Sequence, residues 1–169
     1  KAGNYTLSLS GAPTSSANIT QKALTVTGST AGSQVYDKTL TAVLGGAPVL
    51  LSSEAIGNGN TSDGKPYTGD TVSTSGTASG TLADYNVGSQ SVTISGVTIS
   101  GAQAGNYSVT QQTGLSATVT ARPLTITADS AQTKIYGASD PTFTYQITAG
   151  SKISSDNFSG SLSRATGED

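Results

Sequence analysis

The chain has 169 residues, a formal net charge of −2, 34% hydrophobic and 11% charged residues, and no Cys, His, Met or Trp. Most routes to catalysis, metal ligation and thiol chemistry therefore lack their usual residues. Apolar content sits below the globular norm of about 45–50%, so any core is slim, yet a disordered chain would couple this to high net charge, which is absent here.

Ser and Thr make up about a third of the residues, and 21 glycines punctuate them, a mixture that favours short strands and turns over helices. Period-2 alternation predicts strands near 23–28, 33–36, 39–44, 47–52, 71–75, 77–82, 90–95, 97–100, 105–111 and 116–121. Turn signals separate them: Gly45-Gly46, the loop from Gly57 to Gly64, Ala83-Asp84-Tyr85-Asn86 and Ala102-Gln103-Ala104. The stretch from Ile153 to Phe158 reads as a short helical turn. No apolar run approaches the length of a membrane span and no basic cluster is present, so neither membrane insertion nor nucleic-acid binding is expected.

The chain also repeats itself. The run from Ala17 to Thr27 returns as Ala117 to Thr127, a period of 100 residues (117 − 17), and Val35-Tyr36-Asp37 returns as Ile135-Tyr136-Gly137. Ala2-Gly3-Asn4-Tyr5 returns as Ala104-Gly105-Asn106-Tyr107, at an offset of 102 (107 − 5). Such a period exceeds that of solenoids and implies separately cored modules.

Strand parity marks the boundaries. Ala117, Val119 and Ala121 share one parity while Leu124, Ile126 and Ala128 share the other, so a continuous strand would expose one set. The register must break at Ala121-Arg122-Pro123, and the same flip separates Ala17 and Ile19 from Leu24 and Val26. The expected organisation is residues 1–22 as the end of one repeat, 23–122 as a complete repeat and 123–169 as the start of a third. The expected fold is all-β: small antiparallel sandwich-like or β-grasp-like modules stacked end to end as a rod.

Val35-Tyr36-Asp37, the run from Thr81 to Gly88, Ser95-Gly96 with Ile99-Ser100-Gly101, Ala104-Gly105-Asn106-Tyr107 and Ala117-Thr118-Val119-Thr120 together resemble the YDG repeat. Leu124-Thr125-Ile126-Thr127, the run from Ile135 to Pro141 and the segment from Gly160 to Asp169 resemble the start of the companion MBG repeat. The resemblance implies a secreted bacterial adhesin of the filamentous-haemagglutinin-like, two-partner-secreted kind, at the cell surface or in the extracellular matrix. Cysteine-free composition suits such export. It further implies a stalk that projects an adhesive region or joins cells in a biofilm, with more strands following Asp169. Lys38 stands where the signature glycine of YDG would be, and the turn is expected not to need a positive φ in this copy.

The recurring pairs Tyr5/Tyr107 and Tyr36/Tyr136 are expected to pack within modules. Tyr67 and Tyr85, in loops, together with Asn60 and Asp63, are the candidate ligand-binding residues for the alternative role of a module that recognises matrix polysaccharide. The loop from Asn58 to Gly64 is similar to a calcium loop, but Gly69 occupies the twelfth position, where a bidentate acid belongs, so a solvated loop is the better reading. Asp63 and Asp70 could form a hydrolytic acid pair only within a cleft. A Lys–Asn or Lys–Asp crosslink would need a buried lysine beside a buried acid, and no apolar frame was found to mark one. Five Asn-x-Ser/Thr sequons, at Asn4, Asn18, Asn60, Asn106 and Asn157, are within chance for so Ser/Thr-rich a chain. No catalytic residue, cofactor or metal is expected. The expected partners are neighbouring repeats of the same chain, with matrix polysaccharide or like chains on other cells as further candidates.

Overall fold

A computed structural model describes residues 16–57 and 62–167. The chain is all-β, with eleven strands and one short 3-10 turn at Ala104–Asn106 among these residues. β1 (Lys22–Thr27) opens the first module and is followed by the short β2 (Thr30–Ala31), β3 (Gln34–Val35), β4 (Leu44–Gly45) and β5 (Val49–Leu50). The long β6 (Ser73–Leu82) and β7 (Gly88–Ser100) come next, then β8 (Tyr107–Thr110) and β9 (Leu115–Thr120). β10 (Thr125–Ala128) and β11 (Tyr145–Ala149) form a separate antiparallel pair.

Two sheets enclose the core. One runs β5-β1-β8 and the other β3-β9-β7-β6, while β2 and β4 form a small ribbon. Val26 of the first sheet packs in one cluster with Leu82, Val92, Ile94, Val97, Ala117 and Val119 of the second, and Ala42 completes it. Alternation explains the faces: Lys22, Leu24 and Val26 point inward along β1, and Ala117 and Val119 point inward along β9. The parity set predicted for β9 is thus the buried one. Residues 16–21 form no strand, and Ile19 is fully exposed.

Several local expectations are corrected. The two strands read at 71–75 and 77–82 are one, as are those at 90–95 and 97–100. A paired bulge had disguised them. The β6–β7 register shifts between Gly76 and Ser79, and inward residues on β7 change parity from Val92 and Ile94 to Val97. Gly76 and Gly96 face one another there at φ 74 and 84; a Cβ on Gly96 would lie 2.3 Å from the Thr77 carbonyl oxygen. The segment 39–44 is mostly not strand, though Thr41 bridges Thr81. Two pairings, β1–β8 and β3–β9, are parallel, where antiparallel ladders alone had been expected. Ile153 to Phe158 contributes a single turn, with the Asp156 N–H donating to the Ile153 carbonyl at 2.9 Å.

Tyr107 is buried and Tyr36 partly so, as packing residues should be, but Tyr136 is 84% exposed. Tyr5 lies outside the described residues. Among the described residues no helix is long and apolar enough to cross a membrane.

Leu24 is fully buried. Leu24→Ala should lower the unfolding free energy by about 2–5 kcal/mol, whereas Ile19→Ala should change it by no more than about 0.5 kcal/mol. Denaturant titration of the two variants checks both.

Candidate functional site

The polar side chains of interest gather in two places. The first surrounds the start of β1. Because Lys22 shares its parity with Leu24 and Val26, its stem enters the core face, and the residue is only 8% exposed. Such a group needs partners. Glu54 and Asp63 both meet its ammonium, Asp63 at 3.0 Å, and the Nζ lies 4.3 Å from the centroid of the Tyr67 ring. A buried lysine beside acids is therefore present after all, and its frame was the alternation of β1 itself.

Backbone contacts hold these partners in place. The Glu54 N–H donates to the Pro66 carbonyl at 2.9 Å and the Thr68 N–H to the Glu54 carbonyl at 2.7 Å. Gly64 accepts from the Thr25 N–H at 2.9 Å, and the Asp63 carboxylate accepts from the Lys65 N–H at 3.0 Å in an Asx turn. Below them Tyr107 donates its hydroxyl to Asp70 at 2.5 Å and accepts the Tyr67 N–H at 3.0 Å.

The electrostatics describe an ion pair. The Lys65 N–H, then Glu54 and Lys22, hold the Asp63 carboxyl down to about 2. Burial would lower the Lys22 pKa, but its hydrogen bonds to Glu54 and Asp63 prevail and keep it above the ordinary lysine value. Burial, reinforced by the bond to Asp70, raises the Tyr107 hydroxyl. The repeat agrees with a charged Lys22, since Arg122 occupies its place one period later. That position calls for a cation.

The second place lies where β9 leads into β10. Tyr36 donates its N–H to the Thr120 carbonyl at 2.9 Å, and its ring lies 6.2 Å from that of Tyr85. Asp84 fixes Tyr85 by accepting from both the N–H and the side-chain amide of Asn86, each at 3.0 Å. Asp37 accepts from the N–H and hydroxyl of Thr39 at 2.9 and 2.8 Å, and this turn carries Lys38 at φ 64. The expectation that Lys38 needs no positive φ is wrong: the backbone keeps the glycine-like conformation and a lysine adopts it.

From there Lys38 reaches residues of the following segment. Its ammonium lies 2.8 Å from Asp156 and 2.7 Å from the Ser155 hydroxyl. Lys38 first, then the Tyr36 hydroxyl, lower the Asp156 pKa, and in return Asp156 raises that of Lys38. Nearby, Arg122 donates to the Ser151 carbonyl at 2.7 Å and to its hydroxyl at 2.6 Å. These contacts border an open cleft of about 710 Å³ between the two segments, lined in part by Tyr36, Asn86, Arg122, Lys152, Asp156 and Phe158.

Of the candidate ligand-binding residues, Tyr67 and Asp63 come together at Lys22, and Tyr85 belongs to the second cluster. Asn60 lies outside the described residues. Tyr67 already carries the Lys22 ammonium over its ring, and Tyr85 packs against the Tyr36 ring in a tilted pair. Neither is a free platform. Asp70, once paired with Asp63 as a conceivable acid couple, bonds to Tyr107 instead. Among the described residues no group of three or more His, Cys, Asp or Glu could hold a metal ion. The exposed sequon residues Asn18, Asn106 and Asn157 are accessible to modification, while Asn4 and Asn60 are not among the described residues. Lys38, Asp156 and Arg122 had not been singled out as contact residues. For Arg122 the shared parity with Leu124 was a usable signal; for Lys38 and Asp156 none existed.

A carboxyl-carbon NMR titration should place the Asp63 midpoint near 2. An acid depressed on folding contributes its stability above the unfolded value of about 3.9 and loses it as pH falls through the folded value. The Lys22–Asp63 tie should therefore survive mild acid and fail only between about pH 4 and pH 2. A midpoint near 4 would remove it.

Comparison with known families follows this division of the chain. Residues 20–114 match the YDG domain, and residues 124–169 match the MBG domain, YGX type. No curated protein and no solved structure gives a significant match. Both domains are typically non-catalytic repeat or binding units and fit an adhesin-like or surface-associated role. With more than half its length spanned by one such match, the chain belongs to the YDG domain family.

Proposed function

We propose that the chain is a structural stalk segment of a secreted bacterial adhesin, of the two-partner-secreted type, at the cell surface or in a biofilm matrix. Its task is to carry an adhesive region away from the cell and so mediate cell–cell or cell–surface attachment. The observation that carries this reading is the junction after β9. Only residues 121–124 separate β9 from β10, and side chains from both sides bridge the gap. A linker so short and so tied resists bending, as a stalk requires. The repeat organisation supports the same reading, with the YDG match over 20–114 followed by the MBG match over 124–169 as successive units of a stack.

Small-angle scattering of the 169-residue chain should fit one fixed arrangement of the two segments, and adding repeats should lengthen the particle in equal steps. A profile that demands a broad ensemble of inter-segment angles would overturn the stiff stalk. Saturable binding to a matrix polysaccharide, lost in Tyr67→Ala, would replace it with a carbohydrate-binding module.

A further inference from the structure

Lys38 combines two features that rarely coincide. It occupies left-handed backbone space, φ 64, which is disfavoured for any residue with a Cβ and which only one other non-glycine among the described residues, Ala131, adopts. Its side chain also leaves its own module. The ammonium binds the Asp156 carboxylate and the Ser155 hydroxyl, 118 and 117 residues away in sequence. Glycine would relieve the backbone and lose both contacts.

An exposed ion pair by itself contributes little, because ordering two long side chains costs entropy. Here both partners are ordered beforehand. Asp37 fixes the turn that aims Lys38, and the Asp156 N–H is held by the Ile153 carbonyl. Tyr36, braced by Tyr85 and by the Thr120 carbonyl, lines the same cleft as Asp156. The acid is thus bound by Lys38, with an ordered Tyr36 in the same cleft.

We propose that Tyr36, Lys38 and Tyr85 form a recognition face for the module that follows, selecting a successor with a carboxylate at the place of Asp156, and that this contact sets the angle between them. The inference rests on the stalk reading and deepens it: in a tandem array, a charge-matched face decides which module can follow in a fixed pose. A successor with a neutral or basic residue there would join covalently but remain loose.

The test uses the whole 169-residue chain and residual dipolar couplings measured separately on the two segments. Wild type should give one shared alignment tensor. Lys38→Gly should leave the thermal midpoint of the first module unchanged or higher, since backbone strain is relieved, while the two tensors diverge. Lys38→Glu should also uncouple them, and the charge swap Lys38→Glu with Asp156→Lys should restore a common tensor. The proposal falls if Lys38→Gly keeps the shared tensor, if it lowers the stability of the first module, or if the swap fails to restore coupling. Separate tensors already in wild type would sink the stalk reading and this one together, whereas a rigid wild type with a rigid Lys38→Gly sinks this one alone.

Discussion

β1 is paired on both sides, antiparallel with β5 and parallel with β8, so its inward side chains Lys22, Leu24 and Val26 have no short route to water. Leu24 and Val26 are what the core needs; Lys22 is what the core must accommodate. The arrangement of Glu54, Asp63, Tyr67, Tyr107 and Asp70 follows from that requirement, because each satisfies either the lysine or one of its partners. The long connection between β5 and β6 is thereby folded back onto β1. A single parity choice in the first strand thus places the β5–β6 connection.

A chain with 34% hydrophobic residues cannot close two sheets with apolar contacts alone. Polar side chains complete the work at the edges of the core. Gln112 bonds both the N–H and the carbonyl of Ser29 at 2.9 Å, acting as an extra strand residue, and Gln111 donates to the Val97 carbonyl at 2.7 Å. Amide side chains suit this role because they carry donor and acceptor together and need no counter-charge. The same economy extends to the turns, where Asp37, Asp63 and Asp84 each cap a backbone N–H two residues on. Asp63, weighed above as half of an acid pair, is one of these turn locks.

The two polar clusters use one repeated position in different ways. Lys22 turns inward to acids of its own module, while Arg122, its counterpart one period later, bonds Ser151. Asp156, four residues beyond Lys152, pairs with Lys38 across the junction. Both clusters are structural contacts, which fits a chain of the YDG family, whose domains are typically non-catalytic repeat or binding units.

Alternation was enough to establish an all-β chain, the buried faces of β1 and β9 and the break between Ala121 and Leu124, because these are properties of neighbours in sequence, while the type of each repeat came from resemblance to known motifs. The paired glycine bulge hid the true lengths of β6 and β7, since a parity change looks the same whether a strand ends or bulges. What only the tertiary structure decided was partnership: β1 beside β8, β3 beside β9, Lys22 between Glu54 and Asp63, and Lys38 against Asp156. Periodicity states which way a side chain points, but its partner depends on where the chain returns in space, and those returns span tens to more than a hundred residues.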